Sequence, residues 1–352
     1  MTKSNDANNG LRVLVTGGSG FLGTTIVEEF IDAKWEMDVR EIRILDIKEY
    51  KGKKDDRITF YKGNVCRYEE INEAFKQIDV VIHSAAIIDW GTKSEKEVYD
   101  INFGGTQNVI KACKENHVSA LVYVSSLDAV ISGSDLIDID ESQPYPAEHP
   151  NMYCKSKSLA ERLVIGANQD SFKTCAMRPA DIYGEGDPYH IPPLLDMVKN
   201  GFYLHIGDGS AKCQHIYVRN MAWAILLAAK ALVENNHQVP GNVYFITDGP
   251  GSNFFTFFDN LITQSGYKIW PRNFRLSRRV AYLLGSISEY VALLVRPIKY
   301  YNPKLSRFAV MYISTEFTFT SAKANRDFGF QPKYSVQQAL ENTTLFFRRE
   351  IP

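Results

Sequence analysis

A doubly wound α/β fold, a parallel sheet covered by helices on both faces, is what this sequence predicts, and three observations predict it. Apolar runs of strand length alternate with helical stretches through the first half of the chain. The runs are almost continuously apolar, as in strands buried on both faces; a half-exposed strand would alternate. A glycine-rich turn then follows the first run and opens the first helix, the context of a phosphate-binding βα turn.

LRVLVTG (Leu11–Gly17) is short, apolar and ends in glycine, and FLGTTIVEEFIDA after it has helical spacing. IRILDI (Ile42–Ile47), ITFYKGNV (Ile58–Val65) and DVVIHSAA (Asp79–Ala86) read as further strands, with the helical YEEINEAFKQI between the last two. A helical tract from Glu95 to Asn116 leads into ALVYVSS (Ala120–Ser126). After it, NMYCKSKSLAERL (Asn151–Leu163) reads as a helix and TCAMRPADIYG (Thr174–Gly184) as another buried strand. Beyond Pro192 the alternation breaks down. There HIYVRNMAWAILLAAKALV (His215–Val233) reads as an apolar helix and GNVYFITDG (Gly241–Gly249) as a strand, both returning to the sheet. The sheet domain is therefore expected over 1–184 and 213–249. A smaller lobe over 185–212 and 250–352 should cover the carboxyl ends of the strands and hold a substrate pocket.

Composition narrows the function. The 352 residues are 45% hydrophobic and 23% charged, ordinary for a globular protein. A net charge of −1 provides no global field to recruit nucleic acid. The five cysteines are scattered without a Cys-x-x-Cys pair, and the seven histidines show no ligand spacing, which argues for reduced thiols and against a zinc site. The first ten residues lack the apolar core of a secretory signal. VAYLLGSISEYVALLVRPI (Val280–Ile298) approaches the roughly 20 apolar residues of a membrane span. Ser286, Ser288 and Glu289 interrupt it, and Arg278 and Arg279 stop it upstream. Three readings stay open: a partly buried amphipathic helix, a span, or a helix lying on a bilayer, which Arg278, Arg279, Arg296 and Lys299 would favour.

Gly17, Gly20 and Gly23 fall in a G-x-x-G-x-x-G pattern in VTGGSGFLG. Three glycines at this spacing supply a tight turn, a close backbone approach to pyrophosphate and close helix–strand packing. A turn without a ligand would explain one of them. The helix start after them presents free N–H groups to an anion. Asp46, ending ILDI, is placed to accept from ribose hydroxyls and to repel a 2′-phosphate, which favours NAD over NADP. The alternative for Asp46 is a turn or N-cap aspartate, and Lys48 nearby softens the preference.

Tyr153 and Lys157 stand four residues apart, on one helical face. Free tyrosine is only about 0.1% phenolate at pH 7, so a working base needs stabilisation at about 1.36 kcal/mol per pKa unit. Lys157 and an oxidised nicotinamide would supply positive charge. Ser126, ending the strand YVSS, would hydrogen-bond a substrate oxygen. The bland alternatives are a solvated lysine and a strand-end turn serine.

These residues, with DVVIHSAAIID, INFGGTQNVI, RPADIYGEGD, YVRNMAWA, LLVRPIKYY and FTFTSAKANRDFGFQPKYS, resemble the 3β-hydroxysteroid dehydrogenase/Δ5-isomerase family. This is a branch of the extended short-chain dehydrogenases/reductases, with a Rossmann domain and a smaller substrate lobe. The match runs from about Arg12 to Thr343. The resemblance implies Tyr153 as general acid/base, Lys157 as holder of the nicotinamide ribose and Ser126 as the group polarising the 3-oxygen. It implies NAD held by Gly17, Gly20, Phe21, Leu22, Gly23, Asp46, Asn64, Val65, Ala85, Ala86, Tyr153, Lys157 and Pro179, with Asn102 in support. GNV stands where the family usually has Gly-Asp-Val/Ile, so Asn64 would meet the adenine through its amide oxygen.

The implied reaction is oxidation of a 3β-hydroxysteroid or sterol to the 3-ketone, with Δ5 to Δ4 isomerisation resting on resemblance alone. A decarboxylating sterol-4α-carboxylate 3-dehydrogenase is the alternative. A sugar-nucleotide epimerase or dehydratase and a non-catalytic NAD-binding protein are more distant ones. FFTFF (Phe254–Phe258) suits a flat hydrocarbon or plain core. The family's habit implies peripheral contact with an endoplasmic reticulum or mitochondrial membrane, and allows a homodimer.

Overall fold

The structure is a computed structural model describing residues 10–32, 38–90, 93–234, 236–271, 274–295 and 305–349. The chain begins β1 (Leu11–Thr16), α1 (Phe21–Asp32), β2 (Val39–Asp46), β3 (Ile58–Lys62), α2 (Tyr68–Ile71), β4 (Val80–His83), α3 (Glu95–Tyr99) and α4 (Gly105–Glu115). It continues with β5 (Ala120–Val124), β6 (Leu136–Ile139), α5 (Met152–Gly166), β7 (Lys173–Pro179), β8 (Asp181–Tyr183), α6 (Ile191–Lys199), β9 (His205–Ile206), β10 (His215–Tyr217) and α7 (Val218–Val233). It ends with β11 (Asn242–Ile246), α8 (Phe254–Gln264), β12 (Arg275–Leu276), α9 (Arg278–Val295), α10 (Arg307–Ile313), β13 (Phe317–Phe319), α11 (Ala322–Phe328) and α12 (Val336–Arg349).

Among the described residues, seven parallel strands form one sheet in the order β3-β2-β1-β4-β5-β7-β11. The order reverses between β1 and β4, the switch point where such sheets open a crevice at their carboxyl ends. Register sets Ile44, Val15, Ile82 and Val122 in one row across four neighbouring strands. All four are fully buried in a core shared with Ile26, Phe30, Ile225 and Ala228, and burial of each contributes about 1.5 to 3 kcal/mol. The other face buries Leu14, Val81 and Leu121 with Val109 of α4 and Val164 of α5. The doubly wound expectation holds.

Three expected elements are drawn differently. Thr174–Gly184 is two strands, because Pro179 has no N–H to continue the ladder. Past Ala180 the chain leaves the main sheet, and β8 pairs with β10, Asp181 opposite His215. His215–Tyr217, expected as helix, is thus strand, and α7 starts at Val218. The Glu95–Asn116 tract is helical, but a π turn at Asp100–Gly104 joins α3 to α4. Gly105 follows because a Cβ there would lie 2.8 Å from Val65 Cγ2.

The C-terminal tract divides its packing. Phe254, Phe258 and Leu261 of α8 share a separate core with Ala281 and Ala339, whereas Phe317, Phe319, Ala324 and Phe330 join the sheet core. In α9 the buried residues are Ala281 and Gly285, while Leu283, Ile287, Tyr290 and Leu294 are each more than half exposed. No described helix is long and apolar enough to cross a membrane. Arg296 and Ile298, at the end of the 280–298 segment, and Lys299 just past it lie outside the described residues.

One ion pair fastens α5 to the sheet. Arg178 of β7 donates from Nε and Nη2 to the Glu161 carboxylate, at 3.0 and 2.6 Å, and both side chains are almost wholly buried. The Tyr145 hydroxyl donates to the same carboxylate at 2.6 Å. Glu161→Gln leaves the guanidinium buried without its countercharge, so urea titration should read a loss of about 3 to 5 kcal/mol. The double variant Glu161→Leu with Arg178→Met should recover part of that loss, since an apolar pair strands no charge.

Candidate functional site

The glycine turn is built by close approach. Gly17 has φ +70°, and a Cβ on it would lie 2.7 Å from the Ala85 backbone at the end of β4. A Cβ on Gly23 would fall 2.0 Å from the Gly17 carbonyl oxygen, so α1 can follow β1 this tightly only with glycine there. A Cβ on Gly20 would meet nothing nearer than 3.2 Å; that face of the turn is open. Asp46 Oδ2 accepts from Ser19 N–H at 3.0 Å and Oδ1 from Lys48 N–H at 2.9 Å, fixing the carboxylate beside the turn. Asn64 Oδ1 accepts from Cys66 N–H at 3.0 Å, which occupies one of its two lone pairs.

A cavity of about 500 Å³ runs from this turn across the carboxyl ends of the strands. One end is lined by Gly17, Gly20, Phe21, Leu22, Gly23, Asp46, Asn64 and Val65, the middle by Ala85 and Ala86. Ser126, Tyr153, Lys157 and Pro179 line the same cavity further on. Asn102 does not line it. It stands one layer behind, bonded to both the N–H and the C=O of Ile87 at 2.8 and 3.1 Å and to Ser156 Oγ at 3.1 Å. It thus holds the wall segment after β4 to α5, and it sits in the π turn that breaks the helix; such turns recur at functional sites.

Tyr153 and Lys157 reach the cavity from the first turns of α5, whose start is capped by Asn151 Oδ1 accepting from Cys154 N–H at 2.9 Å. The Lys157 ammonium is buried, donates to the Val124 carbonyl at 2.6 Å and lies 4.6 Å from the Tyr123 ring centre. Burial lowers it to about 7, with Glu161 and then Asp128 acting the other way. Burial raises the Tyr153 phenol well above 10, the Asp128 carboxylate adds to this, and a hydrogen bond with Ser126 opposes it.

The cavity also gathers groups the sequence reading passed over. Ser126 caps the 3₁₀ turn Leu127–Val130, and its Oγ donates to Asp128 Oδ2 at 2.5 Å. The far end carries Trp90, Asp181, His190, Phe308 and Tyr312. The Tyr312 hydroxyl donates to Asp181 Oδ1 at 2.6 Å. Burial works against charge on His190, but Asp187, 3.2 Å from Nδ1, outweighs it and lifts the imidazole to about 9. The Trp90 ring meets His190 and Tyr312 edge-on. Asp128 stands only two residues past Ser126 but reads there as a turn aspartate, and Phe308 and Tyr312 come from far along the chain; none of the three carried a local signal.

Comparison with known proteins agrees with this architecture. The model of the 3-beta hydroxysteroid dehydrogenase/isomerase family matches residues 14–276. A decarboxylating sterol-4-alpha-carboxylate 3-dehydrogenase of Schizosaccharomyces pombe is 31% identical, over 95% of this chain and 96% of the relative. The 3 beta-hydroxysteroid dehydrogenase type 7 of Mus musculus is 32% identical, over 94% of each chain. Among solved structures, a dTDP-glucose 4,6-dehydratase from Streptomyces venezuelae with NAD bound superposes with a TM-score of 0.74 at 19% identity, over 97% of this chain and 98% of that one, a likeness of fold. With the switch-point cavity, the glycine turn and the family model in agreement, the chain belongs to the 3-beta hydroxysteroid dehydrogenase/isomerase family.

Proposed function

We propose that this protein oxidises the 3β-hydroxyl of a sterol or steroid to the 3-ketone with NAD. One observation carries the reading: a single cavity joins the glycine turn to Ser126, Tyr153 and Lys157 and runs on to an aromatic end. The turn fits a dinucleotide, since Gly20 leaves its backbone open and α1 presents free N–H groups there. Gly17, Gly20, Phe21, Leu22 and Gly23 would hold the pyrophosphate, Asp46 the adenosine ribose, Asn64 and Val65 the adenine. Ala85, Ala86 and Pro179 would give the flat walls, with Asn102 bracing them from behind. When bound, NAD supplies the hydride acceptor.

The chain's own residues do the rest. Tyr153 takes the hydroxyl proton, and Ser126 holds the substrate oxygen as charge develops on it. Lys157 anchors the nicotinamide ribose and offers positive charge to the phenolate. Burial and Asp128 push the phenol up, so that charge, together with the cationic ring of the oxidised cofactor, has to bring it down. Trp90, Phe308 and Tyr312 form apolar walls suited to a flat hydrocarbon. Double-bond migration from Δ5 to Δ4 would follow from the 3-ketone, which acidifies the C4 hydrogens, one proton leaving C4 and one returning at C6. A second reading, oxidation of a 4α-carboxysterol with loss of CO2, is favoured by the fission-yeast relative.

Incubation with NAD and a sterol panel tests the reading by NADH absorbance. Turnover of 3β-hydroxy-Δ5-steroids supports the first form and turnover of only 4α-carboxysterols the second; turnover of only nucleotide sugars sinks both. Tyr153→Phe should lose about 10² to 10⁴ in kcat while still binding NADH.

The reading includes a bilayer, of endoplasmic reticulum or mitochondria, under α9. The exposed stripe of Leu283, Ile287, Tyr290 and Leu294, with Arg275, Arg278 and Arg279 exposed near its start, has the make-up of a helix lying at a lipid surface. The full-length protein should float with anionic liposomes, and Leu283→Glu with Ile287→Glu and Leu294→Glu should leave it in the aqueous fraction. Equal flotation of both would remove this part of the proposal.

A further inference from the structure

One carboxylate in the pocket is left unused by that scheme. Asp128 sits directly behind Ser126, and both side chains are buried. Ser126 Oγ donates to Asp128 Oδ2 at 2.5 Å and accepts from the Asp128 N–H at 3.2 Å, and Tyr153 lines the same cavity as both. A serine hydroxyl has one hydrogen. Given to Asp128, it is withheld from a substrate oxygen.

We propose that Asp128 is a positioning residue, the proton acceptor at the end of a Tyr153–Ser126–Asp128 chain, which sets the direction in which the Ser126 hydrogen points. The inference rests on the dehydrogenase reading above. In one relay the Tyr153 O–H bond breaks and its proton joins Ser126 Oγ. The hydrogen that Ser126 shared with Asp128 crosses over, making a carboxylic acid. The negative charge moves from carboxylate to phenolate, so atoms and charge balance without another reactant. Two results follow together: Tyr153 becomes a base, and the Ser126 hydrogen turns from Asp128 toward the pocket, where an alkoxide needs a donor.

The surroundings suit an acceptor that takes a proton and returns it. Burial lifts the Asp128 carboxyl to about 6, Ser126 opposes this, Asp181 adds to it and Lys157 opposes it. Cys154 of α5 donates its S–H to Oδ1 at 3.8 Å, and His190 and Tyr312 face the carboxylate electrostatically from the far end. Ionised Asp128 also raises the phenol, so the two groups titrate as a coupled pair sharing one charge.

Asp128→Asn in the full-length protein tests this, with NAD and whichever sterol the wild type oxidises. Wild-type kcat should fall as pH drops through about 6, because solvent then fills the acceptor. The variant should lose that limb, lose about ten- to a hundredfold in kcat as for a missing charge-assisted hydrogen bond, and bind NADH as before. Mixed H2O/D2O rates should curve with deuterium fraction in the wild type, two protons being in flight, and run straight in the variant; Asp128→Glu should restore part of the rate. A measurement without turnover, carbon-13 titration of labelled aspartate in the cofactor-free protein, should find the Asp128 carboxyl moved upward by Ser126→Ala. A variant keeping both the acid limb and the curvature overturns the proposal, as does an Asp128 titration indifferent to Ser126. A wild type inactive toward every sterol overturns the dehydrogenase reading instead, and the titration still decides for or against the coupling.

Discussion

The position of α5 is the constraint on which the rest of the site depends, and the buried Arg178–Glu161 pair is what sets it. A helix resting on a sheet by apolar contacts alone can slide, because dispersion is non-directional. A guanidinium bonded twice to a carboxylate has a fixed geometry. Glu161 lies one turn beyond Lys157, so fixing it fixes where the ammonium meets the Val124 carbonyl. From there the placing of Tyr153 relative to Ser126 follows, since Val124 and Ser126 belong to the same strand end.

The other half of the site is fixed by absence of side chains. Gly17 lets the end of β1 touch the segment after β4, and Gly23 lets α1 start hard against that turn. Together they narrow the gap at the switch point to backbone against backbone. A dinucleotide-sized groove with rigid walls results, at the one place in the sheet where neighbouring connections run to opposite faces. Asn102 extends this rigidity: by bonding both backbone groups of Ile87 it holds the wall where the β4 extension has no strand partner.

Much of this was legible in the sequence, for a physical reason. Gly17, Gly20, Gly23, Tyr153 and Lys157 carry their relations locally, three residues or one helical turn apart, and Ser126 announces itself as the polar end of an apolar strand. What was illegible depends on tertiary placement. Asp128 looks like an ordinary turn aspartate until Ser126 is seen to bond it. Tyr312 reaches Asp181 across more than a hundred residues of chain, and no periodicity could pair them. His215–Tyr217 read as helix because its apolar character continues that of α7; pairing with β8 outweighed it. The break at Pro179 was visible, since proline cannot feed a sheet ladder, yet the apolar run through it masked the change of partner.

Glu289 brings these levels together. In the sequence it interrupts an apolar segment and argues against insertion in lipid. In the fold it points the other way: its carboxylate accepts from the backbone N–H and Nε of Arg307, both at 2.7 Å, and so ties α9 to α10. Gly285 packs against the backbone of Ser306 and Arg307 at the same contact, and Ser306 Oγ donates to the Trp90 carbonyl at 2.9 Å. Phe308 and Tyr312 of α10 then line the cavity. The charged interruption of α9 is therefore used inward, which leaves the apolar stripe of Leu283, Ile287, Tyr290 and Leu294 outward. One helix pair thus gives the protein both an exposed apolar face, on α9, and a wall of its pocket, on α10.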